Sequence, residues 1–263
     1  MVFIIQNHGH PKIYSILVQT KKCLICEWSE IFSSVKHFKT NQSMKLKYLL
    51  LFFLVIAIST QVYAQQRFPF DNEILAFKHQ DSISFPQKNG ILFIGSSSIR
   101  KWTDLEQRFA SKPIIRRGVG GCELWQVVDY YTPYIVFPYR PRKIFIYAGE
   151  NDIAAGKSGT FVFEEFQKLW EMINRALPRA TIYFMSVKPS PSRAKYFGEA
   201  AKANELIKNY LADKPNSAFI DVSSVLLKDH SAVPDSSLFQ ADYLHLNSKG
   251  YDRWQQVLEP FVN

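Results

Sequence analysis

At 263 residues, 47% apolar and 21% charged, the chain is long enough to bury a full hydrophobic core. Its formal charge of +9 falls to +4 over residues 65–263, where 25 basic side chains face 21 acidic ones and no basic run exceeds two residues, as in Arg116-Arg117. That balance excludes the electrostatic footprint of a nucleic-acid binder, and a single cysteine beyond residue 26, Cys122, excludes a disulfide-stapled scaffold there.

The first 64 residues read as separate from the core. Met44-Lys45-Leu46-Lys47 opens a basic segment, the uncharged run Tyr48 to Thr60 follows, and Val62-Tyr63-Ala64 supplies small residues before Gln65-Gln66. A charged start, a short apolar stretch and a small-residue site, in that order, make a secretory signal peptide. Its 13 uncharged residues fall short of the roughly 20 that span a bilayer. The expectation is therefore cleavage after Ala64, with the alternative of an uncleaved anchor. Residues 65–263 would then be secreted or periplasmic, with no stable membrane span. Residues 1–43 stand upstream of a signal that belongs at an N-terminus, so translation is expected to begin at Met44, with 1–43 a start-site artefact. Cys23-Leu24-Ile25-Cys26 is a lone thiol pair, and His8 and His10 are too scattered to complete a zinc site with it.

From residue 65 onward, short apolar runs alternate with amphipathic stretches, the pattern of βα units in a parallel sheet. Strands are expected at Ile91 to Ile94, Ile114-Ile115, Ile144 to Tyr147, Ile182 to Met185 and Ala218 to Ile220. Between the third and fourth, Phe163, Phe166, Leu169, Trp170, Ile173 and Leu177 recur at three- and four-residue steps and form one helical face. Ala200, Ala203, Leu206, Ile207, Tyr210 and Leu211 form a second. Asn247 is placed to cap a last helix carrying Tyr251, Trp254 and Leu258. With no internal repeat or long linker, residues 65–263 read as one α/β/α domain. Ligands of such sheets bind beyond the carboxyl ends of the strands.

Four short segments fall at those places. Gly95-Ser96-Ser97-Ser98 follows the first strand, Gly118-Val119-Gly120-Gly121 the second, Gly149-Glu150-Asn151-Asp152 the third, and Asp242-Tyr243-Leu244-His245 precedes the last helix. A serine where a strand turns into a helix meets free backbone amides that favour developing negative charge. Taken alone, Ser96, Ser97 and Ser98 equally suit ordinary turn and N-cap duty. The Gly-x-Ser-x-Gly elbow of α/β-hydrolases is absent, since Ile99 takes the last glycine position. Of His79, His230 and His245, the histidines of residues 65–263, only His245 has a carboxylate three residues away within a loop. Asp242 there can orient Nδ1 and leave Nε2 to a nucleophile; the bland alternative is a turn aspartate beside a packed ring. Gly121 lets backbone approach a ligand closely, although a plain tight turn uses glycines too, and the Gly-x-Gly-x-x-Gly spacing of dinucleotide sites is missing. Asn151 offers an amide donor for an oxyanion, or an ordinary loop residue. Asp152 is expected to hold its loop together.

The ordered set resembles the SGNH hydrolases, also called the GDSL esterase and lipase superfamily, from about Ile91 to Trp254. The resemblance implies a three-layer α/β/α sandwich with a five-stranded parallel sheet of flavodoxin-like type. It implies Ser97 as nucleophile, His245 as base, Asp242 as its orienting acid, and an oxyanion hole built from the Ser97 and Gly121 amides with Asn151. No metal or cofactor is implied. Gly149 to Asp152 and Lys188-Pro189-Ser190-Pro191-Ser192-Arg193 look closest to the branch related to platelet-activating-factor acetylhydrolase subunits. Ser96 stands where the superfamily often has Asp, and Arg116 where the glycine block often opens with Asn. The expected activity is hydrolysis of short-chain esters, acetyl above all, on a small-molecule or carbohydrate substrate. Trp125, Tyr130 and Tyr131 offer rings for stacking on a sugar or for the core. Acyl transfer, a lysophospholipase-like lipid esterase and a non-catalytic carbohydrate-binding module are the alternatives.

Overall fold

The computed structural model describes residues 47, 49–52, 70–229 and 231–263. The chain divides into two units, Met1–Gln66 and Arg67–Asn263. In the first, residues 47 and 49–52 are helical, with Leu49, Leu50 and Leu51 exposed. The rest of the signal-like segment with its boundary at Ala64, the stretch 1–43 with its thiol pair, and His230 lie outside the described residues. Among the described residues no helix is long and apolar enough to cross a membrane.

In the second unit five strands form one sheet: β1 (Ile91–Gly95), β2 (Ile114–Gly118), β3 (Lys143–Tyr147), β4 (Thr181–Met185) and β5 (Ser217–Ile220). The order across the sheet is β2-β1-β3-β4-β5, and every pairing is parallel. Successive strand residues point to opposite faces, so an unbroken apolar run marks a strand covered on both sides. Ile91, Phe93, Phe145, Tyr147 and Met185 accordingly enter one core, while Leu92, Ile94, Ile144, Ile146, Ile182 and Phe184 enter the other. The expected five-stranded three-layer sandwich is what forms.

The helices, in chain order, are α1 (Asp71–Ile83), α2 (Ser97–Arg100), α3 (Leu105–Arg108), α4 (Leu124–Gln126), α5 (Thr132–Ile135), α6 (Glu150–Ala154), α7 (Gly159–Ala176), α8 (Phe197–Leu211) and α9 (Ser248–Val262). A wider π-wound stretch, Val127–Tyr131, joins α4 to α5. One outer layer is built from α4 to α5, α7 and α8. The other comes from α2, α3 and α9, through Ile99, Leu105, Trp254 and Leu258. The α7 stripe buries Val162, Phe166, Leu169, Trp170 and Ile173, each contributing roughly 1.5–3 kcal/mol. Asn247 caps α9 as expected, its Oδ1 accepting from the Gly250 amide at 3.1 Å. Tyr131 belongs to the core, and Trp125 meets Tyr130 edge-on at 5.9 Å.

Two elements differ from the expectation. β2 runs on past Ile115 through Arg116 and Arg117. An edge strand lets long charged side chains reach out to partners. Arg116 pairs with Glu106 at 3.1 Å, and Arg117 with Asp81 at 2.5 Å and the Tyr139 hydroxyl at 2.8 Å. The second is α1, which buries only Ile74 and so shows no apolar stripe to read. Charge holds it instead: Glu73 accepts from the Gly120 amide at 3.0 Å and pairs with Arg100 at 3.0 Å.

Candidate active site

The sheet brings three of the four segments to one edge. Gly95 lies in register with Gly118 on one side and Tyr147 on the other, so the loops leaving β1, β2 and β3 start side by side. The Ser96 amide donates to the Tyr147 carbonyl at 2.8 Å, and the Val119 amide donates to the Gly95 carbonyl at 2.8 Å. Gly95 has φ +132°, and a Cβ there would stand 1.9 Å from the Tyr147 carbonyl oxygen. Only glycine fits where two strand ends approach so closely.

Beyond that turn the three serines part company. Ser96 and Ser98 are buried at 2% and 1% exposure, while Ser97, first residue of α2, is partly open. With only four residues in α2, local amides rather than a long helix dipole supply its polarity. The Ser97 Oγ lies 2.9 Å from His245 Nε2, and His245 Nδ1 lies 2.6 Å from Asp242 Oδ2. An ionised carboxylate only accepts, so Nδ1 carries the proton and Nε2 is left to accept from the serine hydroxyl. The other Asp242 oxygen accepts from the Leu244 and His245 amides at 3.0 and 2.9 Å. Partial burial works to raise the Asp242 pKa. Hydrogen bonds from the His245 ring and from those two amides outweigh it and hold the carboxyl well below its ordinary range.

The turn between Asp242 and His245 puts Tyr243 at φ 52°, a left-handed conformation uncommon for an aromatic residue. The Ser192 amide and hydroxyl hold it there by donating to the Tyr243 carbonyl at 3.1 and 3.0 Å. Lys101, which the motif reading passed over, sets its Nζ 3.3 Å from His245 Nδ1 and 3.8 Å from Asp242 Oδ2. With Nδ1–H already given to Asp242, the ammonium is drawn to that same carboxylate.

Gly121 adopts φ +79° in an exposed turn, where an added Cβ would stand 3.9 Å from a Phe70 ring carbon. The next residue, Cys122, accepts from Asn151 Nδ2 through its carbonyl at 2.9 Å, which joins the glycine turn to the asparagine loop. Asp152 is fully buried and accepts from the Leu124 amide at 2.8 Å, anchoring α4 to the same loop. Among the described residues its other oxygen has no hydrogen-bond partner, and burial pushes its carboxyl up to about 6.

Behind Asn151 the Gly149–Asp152 and Lys188–Arg193 segments meet in a cluster whose contacts the sequence alone does not give. The Glu150 carboxylate accepts from Lys188 Nζ at 2.6 Å, the Ser190 hydroxyl at 2.7 Å and the Tyr147 hydroxyl at 2.9 Å. The Lys188 side chain is wholly buried. Desolvation would raise the Glu150 pKa, but Lys188, Ser190 and Tyr147 prevail and hold it low. Among the described residues no group of three or more His, Cys, Asp or Glu could hold a metal ion.

A Ser–His–Asp relay at the carboxyl edge of a parallel α/β sheet is the arrangement of a serine hydrolase. The profile of the GDSL-like Lipase/Acylhydrolase family matches residues 81–253, and the chain belongs to that family. It is thus a carboxylic ester hydrolase, as the resemblance implied. Solved structures share the fold at low identity. A candidate platelet activating factor from Streptococcus pneumonia matches at 20% identity and TM-score 0.65, over 85% of this chain and 100% of its own. A GDSL-like lipase from Bacteroides thetaiotaomicron matches at 17% and 0.61, over 72% and 96%. A carbohydrate esterase family 3 protein from Talaromyces cellulolyticus matches at 16% and 0.54, over 65% and 94%. No curated protein matches the sequence significantly.

Two outcomes check this electrostatic arrangement. Lys188→Met leaves the Glu150 carboxylate buried without its counter-charge and should cost about 3–5 kcal/mol in urea unfolding. Adding Glu150→Gln should restore much of that loss; a Lys188→Met protein as stable as the parent would contradict the pairing. For Asp152, the folded pKa of about 6 lies above the reference value of 3.8, so burial exacts no titration penalty below pH 4 and an increasing one as pH rises through 6. Asp152→Asn should remove that dependence. Between pH 4 and pH 7.5 the variant should retain on the order of 2–3 kcal/mol that the parent loses, and parallel urea midpoints at both values would show that the carboxyl does not titrate there.

Proposed function

We propose that the enzyme cleaves short-chain esters, acetyl esters above all, through an acyl-serine intermediate on Ser97. As Ser97 Oγ attacks the carbonyl carbon, its proton passes to His245 Nε2, and Asp242 stabilises the imidazolium that forms. The tetrahedral oxyanion is taken up by the Ser97 and Gly121 amides and by Asn151 Nδ2. Collapse expels the alcohol, which receives the proton from His245. Water, deprotonated by the same ring, then releases the acid and frees the serine. The observation that supports this reading is the aligned pair of contacts from His245, 2.9 Å to Ser97 and 2.6 Å to Asp242.

Acetylated carbohydrate is the proposed substrate class. In its support, the chain shares its fold with a carbohydrate esterase, and Tyr243, two residues before His245, is 53% exposed. Export through the segment 44–64 is proposed on its charge and apolar pattern. Expressed in its native host, the protein should be recovered outside the cytoplasm with Gln65 at its N-terminus; recovery of intact residues 44–64 would refute cleavage.

Ser97→Ala should abolish hydrolysis of 4-nitrophenyl acetate while leaving Tm unchanged, because only binding and the oxyanion donors remain. The parent should prefer acetyl over butyryl over octanoyl esters. Turnover within tenfold of the parent by a folded Ser97→Ala protein would reject the nucleophile assignment.

A further inference from the structure

We infer that Arg193 is a positioning residue for Asn151, orienting and polarising its carboxamide so that one Nδ2–H stays free for the oxyanion; this rests on the esterase reading above. A carboxamide has two N–H donors and one acceptor oxygen. One Nδ2–H goes to the Cys122 carbonyl at 2.9 Å, and Oδ1 accepts from Arg193 Nη2 at 3.2 Å. That leaves a single uncommitted N–H. Rotating the amide by half a turn would set its NH2 against a guanidinium that only donates, and its oxygen against a carbonyl that only accepts. The two partners thus specify one orientation, and Arg193 provides half of that specification.

The guanidinium does more than hold the amide. A positive charge on Oδ1 draws electron density from nitrogen and strengthens the remaining N–H as a donor, the usual polarisation along linked hydrogen bonds. Both hydrogen-bond partners described for Arg193, the Asn151 amide and the Glu150 carbonyl (2.9 Å from Nη1), are neutral oxygens. No carboxylate in that pair cancels its charge. The residue is also delivered rigidly. It occupies φ −118°, ψ 24° at a kink in the 3-10 turn Pro191–Tyr196, just after Lys188 and Ser190 anchor the segment to the buried Glu150 carboxylate. Guanidinium and amide are therefore fixed to the same support.

The test compares kcat and KM for an acetyl ester among the parent, Arg193→Met, Arg193→Lys, Asn151→Ala and the Asn151→Ala/Arg193→Met double variant, with Tm for each. Removing an oxyanion donor costs roughly 100- to 1000-fold in kcat, so Asn151→Ala should fall in that range. Arg193→Met should lose roughly 10- to 100-fold in kcat with KM within twofold, and Arg193→Lys should recover part of that loss. In the Asn151→Ala background, Arg193→Met should cost less than about twofold more, because the two groups act as a unit. If Arg193→Met lacks a cooperative unfolding transition, Arg193→Lys carries the same comparison. A rise in KM alone would make Arg193 a substrate contact and overturn the inference, as would an equal loss in both backgrounds. If Asn151→Ala loses activity while Arg193→Met retains it, only the positioning role falls. If Asn151→Ala is fully active, the oxyanion assignment fails and the role of Arg193 fails with it.

Discussion

A carboxylate taken out of water must find counter-charge and donors in its own neighbourhood, or the fold that buries it pays heavily. Glu150 is buried at the start of the loop that follows β3, and its two oxygens draw in Lys188, Ser190 and Tyr147. Lys188 and Ser190 belong to the segment after β4. By requiring them, Glu150 fixes where that segment runs, and the segment in turn reaches the turn that carries the base, through Ser192 and the Tyr243 carbonyl. The Asn151 loop and the turn carrying His245 are thus braced by one buried charged group.

A similar division of labour recurs on the other side of the site. The glycine turn after β2 is braced by α1, whose Glu73 takes the Gly120 amide and the Arg100 guanidinium together. Glu73 satisfies the Gly120 amide from outside the turn. Flexible glycine backbone, well suited to close approach but entropically costly to order, is thereby held by a helix that contributes little to the core.

How much of this was legible in the sequence follows from which physical signals are local. Strands buried on both faces must be apolar throughout, so the runs at Ile91, Ile144 and Ile182 declared themselves, and the α7 and α9 faces did so through their spacing. The order of the four motifs pointed to Ser97, Asp242 and His245, which hydrogen bonds join. What stayed hidden depended on pairings distant in sequence. α1 has no apolar stripe, and its anchors lie 36 and 47 residues away at Arg117 and Gly120. β2 reads as ending at Ile115 because two arginines interrupt it, and only the edge position and Asp81 and Glu106 explain why they remain in the ladder. Lys188 and Arg193 stood out only as part of a family-like Lys-Pro-Ser-Pro-Ser-Arg segment, and what they do there depends on partners 38 and 42 residues earlier.

The sheet order differs from the order of the strands along the chain. Strand β1 lies inside the sheet although it comes first in the chain, paired with β2 and β3, while β4 and β5 extend the sheet from β3. All five strands are complete by Ile220, yet the histidine that faces Ser97 lies 148 residues after it. A chain that ends at Ile220 holds all five strands but lacks both His245 and the α9 side chains, Trp254 and Leu258 among them, that cover one face of the sheet. The last stretch of chain thus completes two things at once, the Ser97–His245 contact and the second core layer.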